Sequence, residues 1–137
     1  MLIHADREEM HLHREAIRAL RTLSEGSAAW ALPVFCIGEL LRVVSHPRVF
    51  DPPTPVLEAF ASLEALLESP SVRLLVPGPD YVTLLREMLT CSGASGNLVF
   101  DAQIAAVCLE HGARTLLTED RDFAGFTGIQ VQTLAAF

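Results

Sequence analysis

The segment Asn97–Phe126 reads NLVFDAQIAAVCLEHGARTLLTEDRDFAGF, and it decides the fold class. Its first half has the apolar pattern of a helix that runs to His111, and Arg114–Thr118 has the pattern of a short buried strand. Asp101 lies in the first turns of this helix, and Asp120 follows the strand. Because ligands in open α/β sheets bind beyond the carboxyl ends of the strands, we expect both acids to border such a crevice.

The rest of the chain alternates between predicted helices and short apolar strands. Helices are predicted over Arg7–Ser24, over Val34–Ser45, from a Thr54 cap with Pro55 to Glu68, and over Asp80–Thr90; strands are predicted over Ala29–Leu32, Val72–Val76 and Ile129–Val131. This order predicts an α/β fold with a short parallel sheet and helices on both faces. The strands are apolar, as in a sheet that is buried on both sides. With no linker or repeat, residues 1–137 are expected to form a single domain.

Length and composition limit the class of protein. The chain has 137 residues, half of them hydrophobic, which suits one globular domain with a core. No apolar run approaches the roughly 20 residues of a membrane span. The N-terminus, Met1-Leu-Ile-His-Ala-Asp6, is too short and too acidic for a signal peptide, so a cytoplasmic protein without a membrane partner is expected.

The charged residues exclude several functions. The net charge is −7 and every one of the ten basic residues is Arg. An acidic protein does not hold nucleic acid through a broad basic face, so nucleic acid would have to be bound through a local Arg cluster or a metal. The absence of lysine excludes a phosphate-loop lysine and a Schiff-base lysine. It also argues against a third alternative, a receiver or phosphatase-like domain with an acidic Mg²⁺ pocket.

The carboxylates indicate a metal site. Glu39 is the one acid within the apolar stretch Val34–Val44, and Asp101 and Asp120 converge on the sheet edge. Carboxylates that are brought together raise one another's pKa, so such a cluster calls for a cation. Because the ligands are hard oxygens, Mg²⁺ or Mn²⁺ fits, and the histidines lack the spacing of a zinc site. An acidic metal site without a nucleophile motif points to hydrolysis of a phosphate ester.

Each candidate residue also has a structural explanation. Glu39 fits a solvated edge or a pair with Arg42, and Asp120 fits a cap of the following turn. Asp122 fits a cap or turn residue better than a ligand, and Asn97 is an N-cap first and a site residue second. Thr118 could hold a ligand water or orient Asp120 through its hydroxyl group.

Three segments together resemble a known family. Ala31-Leu-Pro precedes a helix with Glu39-Leu and then Arg42-Val-Val-Ser-His-Pro-Arg-Val-Phe50; further on come Asn97-Leu-Val-x-Asp101-Ala and Thr118-x-Asp120-x-Asp122-Phe. They resemble the second, third and fourth acidic motifs of the PIN-domain ribonucleases, especially the VapC-type toxins of bacterial toxin–antitoxin pairs. The resemblance covers essentially the whole chain.

The resemblance implies a fold and an activity. The fold would be a single PIN-like three-layer sandwich over residues 1–137, with one or two Mg²⁺ or Mn²⁺ ions. The activity would be endonucleolytic cleavage of RNA by the toxin of a toxin–antitoxin pair. Glu39, Asp101 and Asp120 would hold metal, with Thr118 in the catalytic set and with Asn97 and Asp122 orienting the ligands. Family members form homodimers, and a cognate antitoxin silences them by inserting a peptide segment, which suits the −7 charge if that insert is basic.

The chain departs from the family at its first motif, a strand of the form Asp-x-Asn-apolar-Leu. Met1-Leu2 matches only the end of that motif, so the first strand is expected to be truncated and its Asp would precede Met1. Asp6 cannot replace it, because it lies past the strand. The alternative function is therefore a catalytically impaired PIN-fold module that still dimerises and binds antitoxin. An in-frame Asp-x-Asn upstream of the Met1 codon would distinguish the two.

Overall fold

The computed structural model describes residues 1–137, which divide into two compact units, Met1–Leu74 and Leu75–Phe137. The first unit contains α1 (Leu2–Asp6), α2 (His13–Glu25), β1 (Trp30–Pro33), α3 (Val34–Val44) and α4 (Val56–Leu67), and β2 (Val72–Leu75) ends at the first residue of the second. The second contains α5 (Tyr81–Ser92), α6 (Leu98–Glu110), β3 (Thr115–Leu117), β4 (Gln130–Gln132) and 3₁₀ turns over Arg121–Gly125 and Leu134–Ala136. No helix is both long enough and apolar enough to span a bilayer. The predicted mixed α/β class is confirmed.

The first unit is organised around the hydrogen-bonded pair β1–β2. The backbone N–H of Trp30 donates to the Ser71 carbonyl at 3.1 Å, and its indole Nε1 donates to Ser71 Oγ at 3.2 Å. Trp30, Leu32, Leu63 and Val72 form the core beside this pair. Both strands therefore lie within a residue or so of the predicted positions.

A second core cluster joins α3 to α4. It consists of Leu40, Val44 and Ala59, against which the partly buried Leu2 and Ile3 of α1 pack. Within α3 only Leu40 and Val44 are buried, although the helix is apolar nearly all round apart from Glu39 and Arg42. Its other apolar side chains are half-buried, because α3 packs along one stripe only.

The apolar run Leu2–His4, where a truncated first strand is expected, is helical. It lies in α1, where Ala5 N–H donates to Met1 O and Arg7 N–H donates to Ile3 O, each at 3.2 Å. A short apolar run suits a helix or a strand, and here the helix satisfies its backbone groups locally while Leu2 packs on the core.

Two predicted helix starts are also corrected, for one shared reason. The helix expected from Arg7 begins at His13, because Arg7 is extended and its guanidinium donates to Pro52 O and Thr54 Oγ1, each at 3.0 Å. Thr54 does not cap α4, because its hydroxyl donates to Asp6 Oδ2 at 2.9 Å. Tertiary hydrogen bonds thus replace the local caps that the sequence favours.

The second unit contains the parallel pair β3–β4. Thr115 lies opposite Gln130, and Leu117 lies opposite Gln132. The predicted parallel pairing is confirmed, but burial on both faces is not: Thr115 and Gln130 are exposed and Leu117 is half-buried. These strands are three residues long and carry polar side chains, so one face stays open to solvent.

Helix α6 forms the core of the second unit. Six of its residues are buried: Ala102, Ile104, Ala105, Ala106, Val107 and Cys108. Alanines favour the helix and let α5 approach closely. The helix ends at Glu110, and Gly112 follows with φ of +74°, the left-handed conformation that Gly adopts without strain.

The side chain of Glu110 fixes the turn that leads into α5. Its two carboxylate oxygens accept hydrogen bonds from the backbone N–H groups of Gly78 and Asp80, each at 2.8 Å. A Cβ atom on Gly78 would lie 2.7 Å from Glu110 Oε1, so a larger residue at this position would displace the carboxylate of Glu110. The bond pair holds the end of α6 to the start of α5.

Candidate functional site

Three aspartates of the second unit come together. One carboxylate oxygen from each of Asp101, Asp120 and Asp122 lies within 4.8 Å of the others. Asp101 is half-buried and the other two are exposed. At the 4.8 Å limit two unit charges repel by about 1 kcal/mol in water and by roughly 3.5 kcal/mol at the effective dielectric of a protein surface. The cluster is therefore a local concentration of negative charge that a cation would stabilise.

Asp101 is positioned by the rigid part of the unit. It lies in the first turn of α6, as the sequence predicts, where the helix dipole favours an anion. Asn97 occupies the N-cap position, as the sequence predicts, although its side chain makes no capping hydrogen bond. It is exposed one helical turn before Asp101, where its amide can face the same side of the helix.

Asp120 is positioned by a series of hydrogen bonds that continue from β3. Thr118 N–H donates to Gln132 O at 2.9 Å, which extends the β3–β4 ladder by one residue. Asp120 N–H donates to Thr118 Oγ1 at 3.1 Å, and Asp122 N–H donates to Asp120 Oδ1 at 2.9 Å. The hydroxyl of Thr118 thus orients the backbone that carries Asp120. Asp120 is the cap of the following turn, whereas Asp122 supplies a donor and contributes its carboxylate to the cluster.

A residue that the sequence did not single out, Glu119, takes part in the same arrangement. Its Oε1 accepts a hydrogen bond from Leu134 N–H at 2.7 Å. Glu119 stands between Thr118 and Asp120, but its partner lies fifteen residues along the chain. No local pattern could have indicated this bond.

Glu39, the remaining predicted ligand, belongs to the first unit. It is exposed on α3, and the predicted ion pair with Arg42 is not formed. The cluster of three aspartates consists of residues of the second unit alone. The structure therefore brings together Asp101, Asp120 and Asp122 from the predicted set.

The donor set of the cluster fits a hard divalent cation. All three ligand atoms are carboxylate oxygens, and no His or Cys belongs to the group. Mg²⁺ and Mn²⁺ are bound through carboxylates and retained waters, whereas structural zinc sites use Cys and His. Two exposed aspartates leave room for water ligands, so the residues present are compatible with Mg²⁺ or Mn²⁺.

Comparisons with known proteins identify what the chain resembles. The family model described as PIN domain matches residues 2–128. The chain is 33% identical over 126 residues to VapC ribonuclease Mb2897 of Mycobacterium bovis, an alignment that covers 92% of this chain and 85% of that protein. It is 32% identical to ribonuclease VapC31 and 31% identical to ribonuclease VapC25 of Mycobacterium tuberculosis, in each case over 130 residues, 95% of this chain and 91% of the relative.

Proposed function

Because the chain belongs to the PIN domain family, we propose that it is an endoribonuclease that depends on Mg²⁺ or Mn²⁺. The observation that carries the proposal is the meeting of Asp101, Asp120 and Asp122, whose oxygens lie within 4.8 Å of one another. Exposed acidic residues also cluster in proteins that bind no metal. The relatives, which are named ribonucleases, add the support for a catalytic role of this cluster.

The proposed ligands are all carboxylates. Asp101 and Asp120 would hold the ion together with Glu39, and Asp122 would add a carboxylate to the same cluster. When bound, the ion would polarise the scissile phosphate and lower the pKa of a coordinated water. Thr118 keeps Asp120 in place through its backbone, and Asn97 is proposed to orient Asp101 from the preceding turn.

The proposed reaction is hydrolysis of a phosphodiester bond. A water oxygen bonds to phosphorus, the bond from phosphorus to the leaving ribose oxygen breaks, and a proton ends on that oxygen. The chain carries a net charge of −7, so RNA cannot be held by a broad basic surface. Binding would rely on the ion and on local guanidinium groups, of which Arg121 is exposed between Asp120 and Asp122.

We extend the proposal to the partners of the chain. The relatives are named VapC ribonucleases, which supports the role of the toxin in a toxin–antitoxin pair. A cognate antitoxin is proposed as its inhibitor and a homodimer as its form. The acidic charge suits an antitoxin segment that is basic. Since the proposed substrate is RNA, the proposed place of action is the cytoplasm.

The test is cleavage of a defined single-stranded RNA by the purified chain in Mg²⁺, in Mn²⁺ and in EDTA, with DNA of the same sequence in parallel. We expect internal cuts in the RNA with either metal, none in EDTA, little or no cleavage of the DNA, and inhibition by the protein encoded next to the chain. RNA that stays intact in both metals would contradict the proposed ribonuclease activity and would favour the alternative, a catalytically impaired module that binds antitoxin. Equal cleavage in EDTA would contradict the proposed dependence of cleavage on Mg²⁺ or Mn²⁺.

A further inference from the structure

We propose that Glu119 is a positioning residue, whose hydrogen bond to Leu134 sets the direction in which Asp120 presents its carboxylate to the metal. The proposal rests on the proposed metal-dependent function of the aspartate cluster. Its basis is the 2.7 Å hydrogen bond from Leu134 N–H to Glu119 Oε1. The acceptor, Glu119, directly precedes the proposed ligand Asp120.

The backbone around Asp120 limits the directions in which its side chain can point. Its backbone is extended, with φ of −79° and ψ of 114°. Glu119, the residue before it, lies at a bend and is absent from the aspartate cluster. Because Glu119 and Asp120 are consecutive, a bond that fixes Glu119 also limits rotation of the segment that carries Asp120.

Two hydrogen bonds hold this segment to one stretch of chain. Thr118 N–H donates to Gln132 O at 2.9 Å, and Leu134 N–H donates to Glu119 Oε1 at 2.7 Å. We call this pair the 118–134 clamp. In one bond the segment around Asp120 donates, through Thr118 N–H, and in the other it accepts, through the side chain of Glu119. Together the two bonds resist both sliding and twisting of the segment.

The end of the clamp at Leu134 is fixed. Leu134 is 5% exposed and belongs to the core of the second unit. It opens the 3₁₀ turn Leu134–Ala136, whose first N–H groups have no partner within the turn. The carboxylate of Glu119 satisfies one of them, so the bond has a defined donor on a buried support.

Glu119 supports a proposed ligand and is not a further ligand itself. It is absent from the cluster formed by Asp101, Asp120 and Asp122, and its Oε1 is engaged by Leu134. The PIN domain match ends at residue 128, so Gln132 and Leu134 lie beyond it.

Three substitutions separate the hydrogen bond from the charge. Glu119→Gln keeps an oxygen acceptor at the same reach and removes the charge, Glu119→Asp keeps the charge but is one methylene too short, and Glu119→Ala removes both. Mn²⁺ affinity is measured from free Mn²⁺ by electron paramagnetic resonance, with RNA cleavage as the second readout. Loss of a residue that supports a metal ligand typically weakens metal binding 10–100-fold, so we expect about tenfold weaker binding in the Ala and Asp variants and about the wild-type value in the Gln variant.

Two controls complete the experiment. Glu87→Ala removes an exposed acid of α5 and should leave Mn²⁺ affinity unchanged. Glu110→Ala removes two hydrogen bonds from the other end of α6, nine residues or roughly 13 Å from Asp101, and should lower the melting temperature without changing Mn²⁺ affinity.

Three results would overturn the proposal. Wild-type Mn²⁺ affinity in Glu119→Ala would remove the clamp but leave the metal site. Weaker Mn²⁺ binding in the Gln variant together with wild-type binding in the Asp variant would show that charge, and not the bond, is what matters. If the wild-type chain binds no Mn²⁺, the clamp and the proposed function both fail.

Discussion

The backbone N–H of Asp122 donates a hydrogen bond to Oδ1 of Asp120 at 2.9 Å, within a cluster to which both side chains contribute a carboxylate. The same carboxylate of Asp120 therefore caps a turn and belongs to the proposed metal site. Asn caps about as well as Asp but carries no charge, so substitution can separate the two roles.

Asp120→Asn should abolish activity and preserve stability. The amide oxygen keeps the cap, while loss of a charged ligand should slow RNA cleavage by at least about 100-fold. Asp120→Ala should lose the cap as well and cost about 1 kcal/mol of stability, or roughly 3–5 °C in melting temperature. Thermal melts beside cleavage rates check this; an equal loss of stability in both variants would refute the separation.

Thr118 should act through its hydroxyl oxygen, which accepts the Asp120 N–H at 3.1 Å. Thr118→Val keeps the shape of the side chain but leaves that N–H without its partner, so we expect about 1 kcal/mol less stability and roughly tenfold weaker Mn²⁺ binding. Thr118→Ser restores the oxygen and should restore both. A serine variant as weak as the valine variant would point to the methyl group instead.

Glu39 is the proposed ligand that the aspartate cluster does not include. Glu39→Gln should reduce metal-dependent cleavage about as much as loss of an aspartate, roughly 100-fold or more, with the melting temperature unchanged because the side chain is exposed. Glu64→Gln on α4 is the matched control, also exposed and acidic. Retained cleavage in Glu39→Gln would exclude it from the site.

The three cysteines should differ in reactivity towards a thiol reagent at pH 8. Burial raises the pKa of the Cys108 thiol to about 11, so it stays protonated and shielded, whereas Cys91 is exposed and Cys36 is half-buried. We expect rapid labelling of Cys91, slower labelling of Cys36 and labelling of Cys108 only after denaturation. Mass spectrometry of the labelled peptides reads the order, and fast modification of native Cys108 would contradict its burial.

Local signals made part of the site predictable. Asp101 was placed by the apolar helix around it, and Asp120 by the strand before it, and the structure has both in those positions. Their convergence was expected from the crevice beyond the carboxyl ends of the strands, where ligands bind in open α/β sheets. Asp122 was expected at a turn, and only the folded chain shows that its carboxylate joins the cluster.

The errors came from partners distant in sequence. Thr54 has the side chain of an N-cap, yet its hydroxyl bonds to Asp6, 48 residues away. Glu119 has no local signal at all, because its partner is Leu134. Leu2–His4 suit a strand or a helix equally by composition, and the helical form places Leu2 against the distant core residues Leu40, Val44 and Ala59. Such choices depend on long-range contacts that periodicity does not encode.

The most direct test of the central claim is the initial rate of RNA cleavage against Mg²⁺ concentration, for the wild type and Asp101→Asn side by side. We predict that the wild-type rate rises from zero in EDTA to saturation. The variant, which loses a charge from the cluster, should stay at least about 100-fold slower at every Mg²⁺ concentration while its melting temperature stays within about 4 °C. A wild-type rate that is the same in EDTA, or a variant that follows the wild-type curve, would contradict the account.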